Sequence, residues 1–371
     1  WICNDVWMDI FPSFDRTQLG LKLALLSPRF NALVDKHFDG KSELTIWRPI
    51  EIRRKDKGPE PKLSVRIDYK FVEFPLPDRP LPSKIRFKNL RIYYIYHSVI
   101  AFLRSNHQIF DKRGTNLELW LPYSHTTNGQ RIWDVFVREI WPIFSANIRH
   151  LCFSHRDHLD NLLRQISPTI LIDLNQLTSI KSFGLLPAAF GDDFDGPNST
   201  ISAGQALSKW LHSPRKDGQP KRLHCADKQT NFDWINNFKE QFLRANAISS
   251  VSYEIHFYVR TPSMPMVPFE LVNEWTKEKL TLAKAKGWDN RWIMKRCKII
   301  GETAVVNWED GNWDNNCNSV FVWLFRTTNC IGPLSPPPAE EAGQNITKGP
   351  SSELTMSDGQ TKKNSDQPQK E

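Results

Sequence analysis

The sequence lacks the short motifs on which most enzymes and metal-binding proteins depend. It contains no GxSxG, HExxH or GxxxxGK[ST] pattern. Its ten histidines are dispersed, and its six cysteines include no CxxC pair and no zinc-ligand spacing. We therefore predict no catalytic residue, no metal site and no cofactor. The cysteines are Cys3, Cys152, Cys225, Cys297, Cys317 and Cys330.

Long apolar runs and concentrated charge are also missing. No stretch reaches the roughly 18 apolar residues of a membrane span, so we expect no membrane partner. The formal net charge is +8, but its two basic clusters, 53–57 and 215–222, lie beside glycine and proline, which predicts solvated loops and no nucleic-acid partner. Dispersed cysteines favour a reducing compartment, cytoplasmic and/or nuclear. Because the chain begins with Trp1 rather than methionine, a preceding signal peptide and secretion stay open.

The first 40 residues contain two amphipathic runs with helical spacing. The first run, which Asn4 or Asp5 would cap and Pro12 should end, places four apolar residues on one helical face. The second continues at threes and fours to residue 33, and Ser27-Pro28 within it could start a third helix. The apolar positions are Val6, Ile10, Phe11 and Phe14 in the first run, and Leu19, Leu23, Leu26, Phe30 and Leu33 in the second.

A unit of about 40 residues is marginal alone, so a partner or the following domain must cover some of these faces. The segment resembles an F-box. Ile10-Phe11 matches the family's apolar pair, Leu19 matches the leucine that opens its second helix, and Leu26 and Phe30 stand where valine and tryptophan are expected. Ile2-Cys3 replaces the usual Leu-Pro, and Ser27-Pro28-Arg29 replaces Cys-Arg-Arg.

The resemblance implies that this segment binds a Skp-family adaptor and, through it, a cullin-RING ubiquitin ligase. The family's docking positions correspond here to Val6, Ile10, Phe11, Leu19, Leu23, Leu26 and Phe30. Residues 5–11, 25–30, 133–142 and 269–273 also resemble the large F-box family expanded in plant-parasitic nematodes. That resemblance implies a receptor region that holds an unknown target protein. A repeat-type interaction module, or a secreted effector without a ligase role, is the alternative, with residues 1–40 as a helical cap.

The body of the chain alternates helical and strand patterns. Five units follow one another, and their strands are separated by roughly 30–45 residues, a spacing typical of repeats. We predict an α/β (α+β overall) fold in which these units form a degenerate leucine-rich-repeat-like array; a layered domain with a parallel sheet is the competing architecture. The predicted strands are 116–121, 148–153, 177–183, 221–226 and 252–258.

Other strands flank this array. Alternation predicts strands at 44–47, 63–67 and 70–74, with the proline-rich 76–82 as an extended connector. Short antiparallel strands at 269–272, 279–282, 292–297 and 320–325 should cap the array.

The polar tail 331–371 cannot bury enough apolar surface to fold, so we predict disorder there. The predicted domains are therefore 1–40, 41–330 and 331–371. Because aromatic residues dominate binding hot spots, Trp120, Trp210, Tyr253 and Trp323 are candidates for target recognition.

Overall fold

The computed structural model describes most of the chain up to residue 334. The described residues are 2–39, 44–46, 48–54, 58, 60–67, 70–82, 85–107, 114–188, 201–226, 232–246, 251–259, 266–285, 290–300, 303–304, 318–324, 331–332 and 334. Apart from three residues, the predicted disordered tail 331–371 lies outside them.

The N-terminal segment consists of short consecutive helices. Ser27 ends one run and caps the next, because its hydroxyl accepts a hydrogen bond from the Phe30 amide at 3.3 Å and Pro28 follows in the first turn. The predicted third helix is therefore confirmed. The elements are α1 (Asn4–Ile10), a 3-10 turn (Phe11–Ser13), α2 (Arg16–Gln18), a π-turn (Leu19–Leu23), α3 (Ala24–Leu26) and α4 (Pro28–His37).

The predicted start of α1 was wrong by a residue. Cys3 occupies the cap position, and no side chain caps the helix. Asn4 lies inside α1, where its side-chain oxygen accepts two hydrogen bonds from the Arg29 guanidinium instead. The predicted end was right, since α1 stops at Ile10 and Pro12 lies in the 3-10 turn that follows.

One large mixed sheet forms the body, and a separate two-stranded parallel sheet joins β1 to β5. The neighbour order in the large sheet is β12-β13-β14-β11-β10-β9-β8-β7-β16-β6-β2-β3-β4, with β15 paired to β14. The strands are β1 (Leu44–Ile46), β2 (Ile50–Arg54), β3 (Pro61–Ile67), β4 (Lys70–Pro75), β5 (Ile85–Phe87), β6 (Asn89–Ile92), β7 (Thr115–Trp120), β8 (Ile148–Phe153), β9 (Ser179–Phe183), β10 (Lys221–Ala226), β11 (Tyr253–Tyr258), β12 (Phe269–Asn273), β13 (Glu278–Lys284), β14 (Arg291–Ile300), β15 (Thr303–Ala304) and β16 (Asn318–Trp323).

The five predicted helix–strand units form the centre of this sheet. Strands β7 to β11 are parallel neighbours in sequence order. Since crossovers between parallel strands are right-handed, helices that join strands added in one direction lie on one face. The connecting helices are α5 (His97–Ser105), α6 (Thr127–Val135), a π-turn (Phe136–Ile140), α7 (Trp141–Phe144), a 3-10 turn (Ser145–Asn147), α8 (Arg156–Gln165), α9 (Ile170–Asp173), α10 (Ala203–His212) and α11 (Phe232–Arg244).

The core lies between these helices and alternate residues of the strands. In β7 the side chains of Leu117 and Leu119 are buried, whereas the intervening ones are half-buried. The His212 ring of α10 packs 5.4 Å from that of Tyr253, so the helices cover this side of the sheet. Phe11 and Leu19 of the N-terminal helices belong to the same continuous core. The α/β class is therefore confirmed.

Two predicted elements need correction. The helical pattern over 158–176, which precedes the predicted strand 177–183, forms two helices, α8 and α9, rather than one, because Pro168 lies between them and cannot continue a helix. The strand expected at 320–325 is not an antiparallel cap: β16 inserts between β6 and β7 and is parallel to both. Val320 and Val322 are fully buried there, and this burial stabilises the long-range pairing. Strands β12, β13 and β14 do extend the β11 edge in antiparallel fashion, as predicted.

Candidate functional site

The seven residues predicted to bind an adaptor divide into three groups by burial. Phe11 and Leu19 are 0% and 2% exposed, so they are core residues of this chain rather than contact residues. Their assignment to a binding surface is thereby corrected. Val6 and Leu26, by contrast, are 44% and 62% exposed. The half-buried members are Ile10, Leu23 and Phe30.

Helix α1, which carries Val6, is attached to α4 by side-chain contacts. The Arg29 guanidinium donates hydrogen bonds to the Asn4 side chain and, at 2.8 Å, to the carbonyl of Ile2. Rings of Trp7 and Phe30 pack edge to face at 4.9 Å. We define the N-terminal apolar surface as six partly or largely exposed apolar side chains of this region: Ile2, Val6, Ile10, Leu23, Leu26 and Phe30.

A cleft of about 390 Å³ lies next to this surface. Helices α3 and α4 form one wall, and the proline-rich connector forms the other with Arg79, Pro80 and Leu81. Because the connector contains no helix or strand over 76–82, it agrees with the predicted extended segment. The helical lining residues are Ala24, Leu25, Ser27, Pro28, Asn31 and Asp35.

A second surface is the face of the sheet opposite the helices. At the β7–β16–β6 end it carries an aromatic group, in which the indoles of Trp120 and Trp323 stack at 4.6 Å with an interplanar angle of 4°. Tyr93 lies 6.1 Å from Trp323, and the Arg53 guanidinium lies 4.8 Å above the Tyr93 ring. These three aromatic side chains are half-buried. We call this group the aromatic end of the open face.

The β9–β10–β11–β14 end of the same face is polar. Register places His224 of β10 beside Lys181 of β9 and beside His256 of β11. The two imidazole rings stack at 4.2 Å. Glu254, two residues before His256 on β11, has a carboxylate oxygen 2.6 Å from His256 Nε2. We call this group, together with the cations described next, the basic end of the open face.

Four cations surround the stacked histidines. Arg222 Nε and Lys295 Nζ each lie 3.7 Å from a Glu254 oxygen, and Arg291 contacts His256. Burial lowers the pKa of His224 most, and the positive charges of Arg291, Lys181 and Arg222 lower it further. That imidazole is therefore neutral at physiological pH.

The protonation of His256 follows from its contacts. An Arg291 NH2 group donates to Nδ1 at 2.7 Å, so Nδ1 carries no proton. The proton lies on Nε2, which donates to Glu254. Burial lowers the pKa of His256 and outweighs the opposing effect of that carboxylate. The contact is thus a hydrogen bond from a neutral imidazole to a carboxylate.

The structure separates the four aromatic residues predicted for target recognition. Trp210 and Tyr253 are 1% exposed and belong to the core under the helices, so their assignment as exposed contacts was wrong. Trp120 and Trp323 lie together on the open face. Sequence reasoning missed the basic end, although polar residues alternate with buried Leu223 and Ile255 in its strands.

Comparisons with family models, curated proteins and solved structures found no match. Within the described residues, each helix is too short or too polar to traverse a bilayer. The same residues contain no group of three histidine, cysteine or acidic side chains placed to hold a metal ion.

Proposed function

We propose that this protein is the substrate-recognition subunit of a Skp–cullin–F-box ubiquitin ligase. Its N-terminal helices bind a Skp-family adaptor, and the open face of its sheet holds a target protein. The observation that carries the proposal is the exposure of Val6 and Leu26, two apolar side chains that the F-box resemblance places at docking positions.

This chain leaves the apolar side chains of Val6 and Leu26 largely uncovered. Fully burying a valine or leucine contributes about 1.5–3 kcal/mol, so a partner that covers Val6 and Leu26 gains a large part of that free energy. Phe11 and Leu19 contribute indirectly, since they anchor the helices that present these side chains.

Catalysis in such a complex requires no reactive residue in this chain. The receptor holds a target lysine near the ubiquitin-loaded enzyme, which raises the effective concentration of the reacting groups. The N-terminal apolar surface is built from residues 2–30 and the open face from strands of the large sheet, and this separation in sequence supports the division of labour.

The test measures binding of the full chain to a recombinant Skp-family adaptor by isothermal titration calorimetry. Val6→Asp combined with Leu26→Asp should weaken binding by roughly tenfold or more, because two charges would be desolvated at the interface. Ile172→Asp combined with Val267→Asp is the matched control, since both residues are exposed apolar side chains elsewhere. Circular dichroism verifies that both double variants fold.

Two results would contradict the proposal. One is adaptor binding that the Val6/Leu26 double variant retains at full strength. The other is no adaptor binding by the unmodified chain, which would favour an interaction module or secreted effector without a ligase role.

A further inference from the structure

The carboxyl ends of the parallel strands carry aromatic side chains across the open face. Register places Trp323 of β16 beside Trp120 of β7, and Tyr93 directly follows β6. Phe183 ends β9 in the same strand phase as Lys181, and it is 37% exposed. We define the aromatic row by five residues, in the strand order β6, β16, β7, β9 and β11: Tyr93, Trp323, Trp120, Phe183 and Tyr258.

Small residues interrupt this row at two positions. Strand β8 continues into Ser154, and β10 ends at Ala226, which pairs with Phe183. Trp120 and Phe183 therefore lie on strands two spacings apart, or roughly 9.5 Å at 4.7–4.9 Å per strand. The same spacing separates Phe183 from Tyr258. We call these two intervals between aromatic residues the notches of the row.

Each notch is wide enough for one apolar group. Carbon atoms in contact lie about 3.5–4.0 Å apart, so a group that touches a ring on each side needs roughly 7–8 Å. The bordering rings are also held in place. The Trp120 indole donates a hydrogen bond to Glu118 at 2.5 Å, and Lys181 Nζ lies 5.4 Å from the centre of the Phe183 ring. Side chains ordered before binding reduce its entropic cost.

The distance between the two notches indicates the backbone conformation of a bound chain. The notches are two strand spacings apart, roughly 9.5 Å. In a polyproline II helix, residues i and i+3 point the same way and lie about 9.3 Å apart. Residues on one face of a β-strand lie roughly 6.7 or 13 Å apart, which does not match. An α-helix repeats its apolar face about every 5–6 Å and would meet Phe183 between the notches.

Proline satisfies both the size and the conformation that the notches require. Its ring is a compact apolar group, and it fixes φ at about −65°, close to the polyproline II value of about −75°. A proline-rich chain therefore loses little conformational entropy when it binds. Grooves lined by aromatic side chains are a recurring binding site for such chains.

We infer that the aromatic row binds a proline-rich segment of the target protein in the polyproline II conformation, with prolines three residues apart in the two notches. This inference rests on the proposed function, since it names the chemical class of target that the open face holds. Trp120 and Phe183 border the first proline, and Phe183 and Tyr258 border the second.

Single-stranded RNA is the rival ligand, because its bases also stack on aromatic side chains. Its phosphates, however, require a positively charged path. Glu118 lies beside Trp120 at the first notch, and Glu51 lies between Arg53 and Arg91 further along the face. These carboxylates repel phosphates, whereas the backbone of a proline-rich segment carries no charge. The face therefore favours the peptide.

The test uses the full chain without adaptor and fluorescein-labelled peptide pools in fluorescence polarisation. The first pool has two prolines three residues apart, the second has them two residues apart, and the third has alanines three residues apart. All other positions are randomised without proline. The first pool should bind at least tenfold more tightly than either other pool, and a mixed-sequence single-stranded RNA is measured alongside.

Variants locate the site. Phe183→Ala removes the ring that both notches share and should reduce affinity for the first pool by roughly tenfold or more. Phe71→Ala is the matched control, since Phe71 is 55% exposed on β4, outside the row, and this variant should bind as the unmodified chain does. Ser154→Leu fills the first notch without removing a ring and should weaken binding by a similar factor. Circular dichroism verifies that the variants fold.

Four outcomes would overturn the inference: equal binding of the first and second pools, tighter binding of RNA than of the first pool, equal losses in Phe183→Ala and Phe71→Ala, or full-strength binding by Ser154→Leu. Adaptor binding, measured separately, distinguishes failure of this inference from failure of the ligase proposal. If the adaptor binds and the first pool does not, only the inference fails.

Discussion

The buried ion pair between the antiparallel strands β13 and β14 gives the sharpest stability prediction. Arg296 of β14 donates to a Glu278 carboxylate oxygen of β13 at 2.6 Å, and the two side chains are 7% and 0% exposed. The Arg296 guanidinium also lies 5.5 Å above the Phe242 ring of α11. We expect Arg296→Met to destabilise the fold strongly, since it leaves the Glu278 carboxylate buried without its cation.

The magnitude follows from the cost of an uncompensated buried charge. Removal of one partner of a buried ion pair costs about 3–5 kcal/mol in free energy of unfolding. Replacing both partners by apolar residues of similar volume is often neutral or stabilising, by about 1–4 kcal/mol. Arg296→Met combined with Glu278→Leu should therefore recover most of the stability that Arg296→Met loses.

The assay is urea unfolding of the unmodified chain, both single variants and the double variant, followed by circular dichroism. The four free energies form a double-mutant cycle, whose coupling should exceed about 2 kcal/mol for residues in direct contact. A loss below about 1 kcal/mol in Arg296→Met would refute the reasoning, since it would mean that water reaches Glu278. A double variant that is no more stable than Arg296→Met would also refute the reasoning.

The remaining predictions concern the N-terminal helices and one buried histidine. Phe11→Ala should cost about 3–5 kcal/mol in urea unfolding because the ring is fully enclosed, whereas Leu26→Ala should change stability by less than about 0.5 kcal/mol; equal losses would contradict the burial that separates them. Ser27→Ala should cost about 1 kcal/mol through loss of the α4 cap, and a neutral effect would contradict that role. Burial lowers the pKa of His158 to about 4, with His155 lowering it further and the Leu121 carbonyl and Asp157 opposing the shift. Because the unfolded chain takes up this proton near its ordinary pKa of 6.5, the stability contribution is complete above about pH 6.5 and is lost as pH falls to about 4, by about 3 kcal/mol in all. His158→Gln should flatten urea-derived stability over that pH range, and an unchanged slope would contradict the assignment.

Local patterns predicted the array because each of its units is determined by nearby residues. Alternation in 116–121 and 221–226 gives strands whatever their partners are, and Ser27-Pro28 starts a helix through its own cap. The partners of β16 could not be predicted in this way. Its apolar run fits any buried position, and the choice of β6 and β7 depends on contacts with residues about 200 positions earlier.

Local sequence patterns predicted only part of the candidate surfaces, because they show which residues share a face but not which faces the rest of the chain covers. Helical spacing indicates that Phe11 and Leu26 belong to apolar faces, but it does not indicate which faces this chain covers itself. Strand spacing contains more information: Trp120 alternates with buried Leu117 and Leu119 and so lies on the polar face, whereas Tyr253 shares the phase of buried Ile255. The basic end requires the register of four strands, which no single stretch of sequence contains.

Hydrogen–deuterium exchange of the full chain, with and without a Skp-family adaptor, tests the proposed ligase role most directly. We expect slower exchange on adaptor binding at residues 2–10 and 24–31, with β9, β10 and β11 unchanged. Slower exchange confined to the sheet, or no change at 2–10 and 24–31 in a chain that binds the adaptor, would contradict that role.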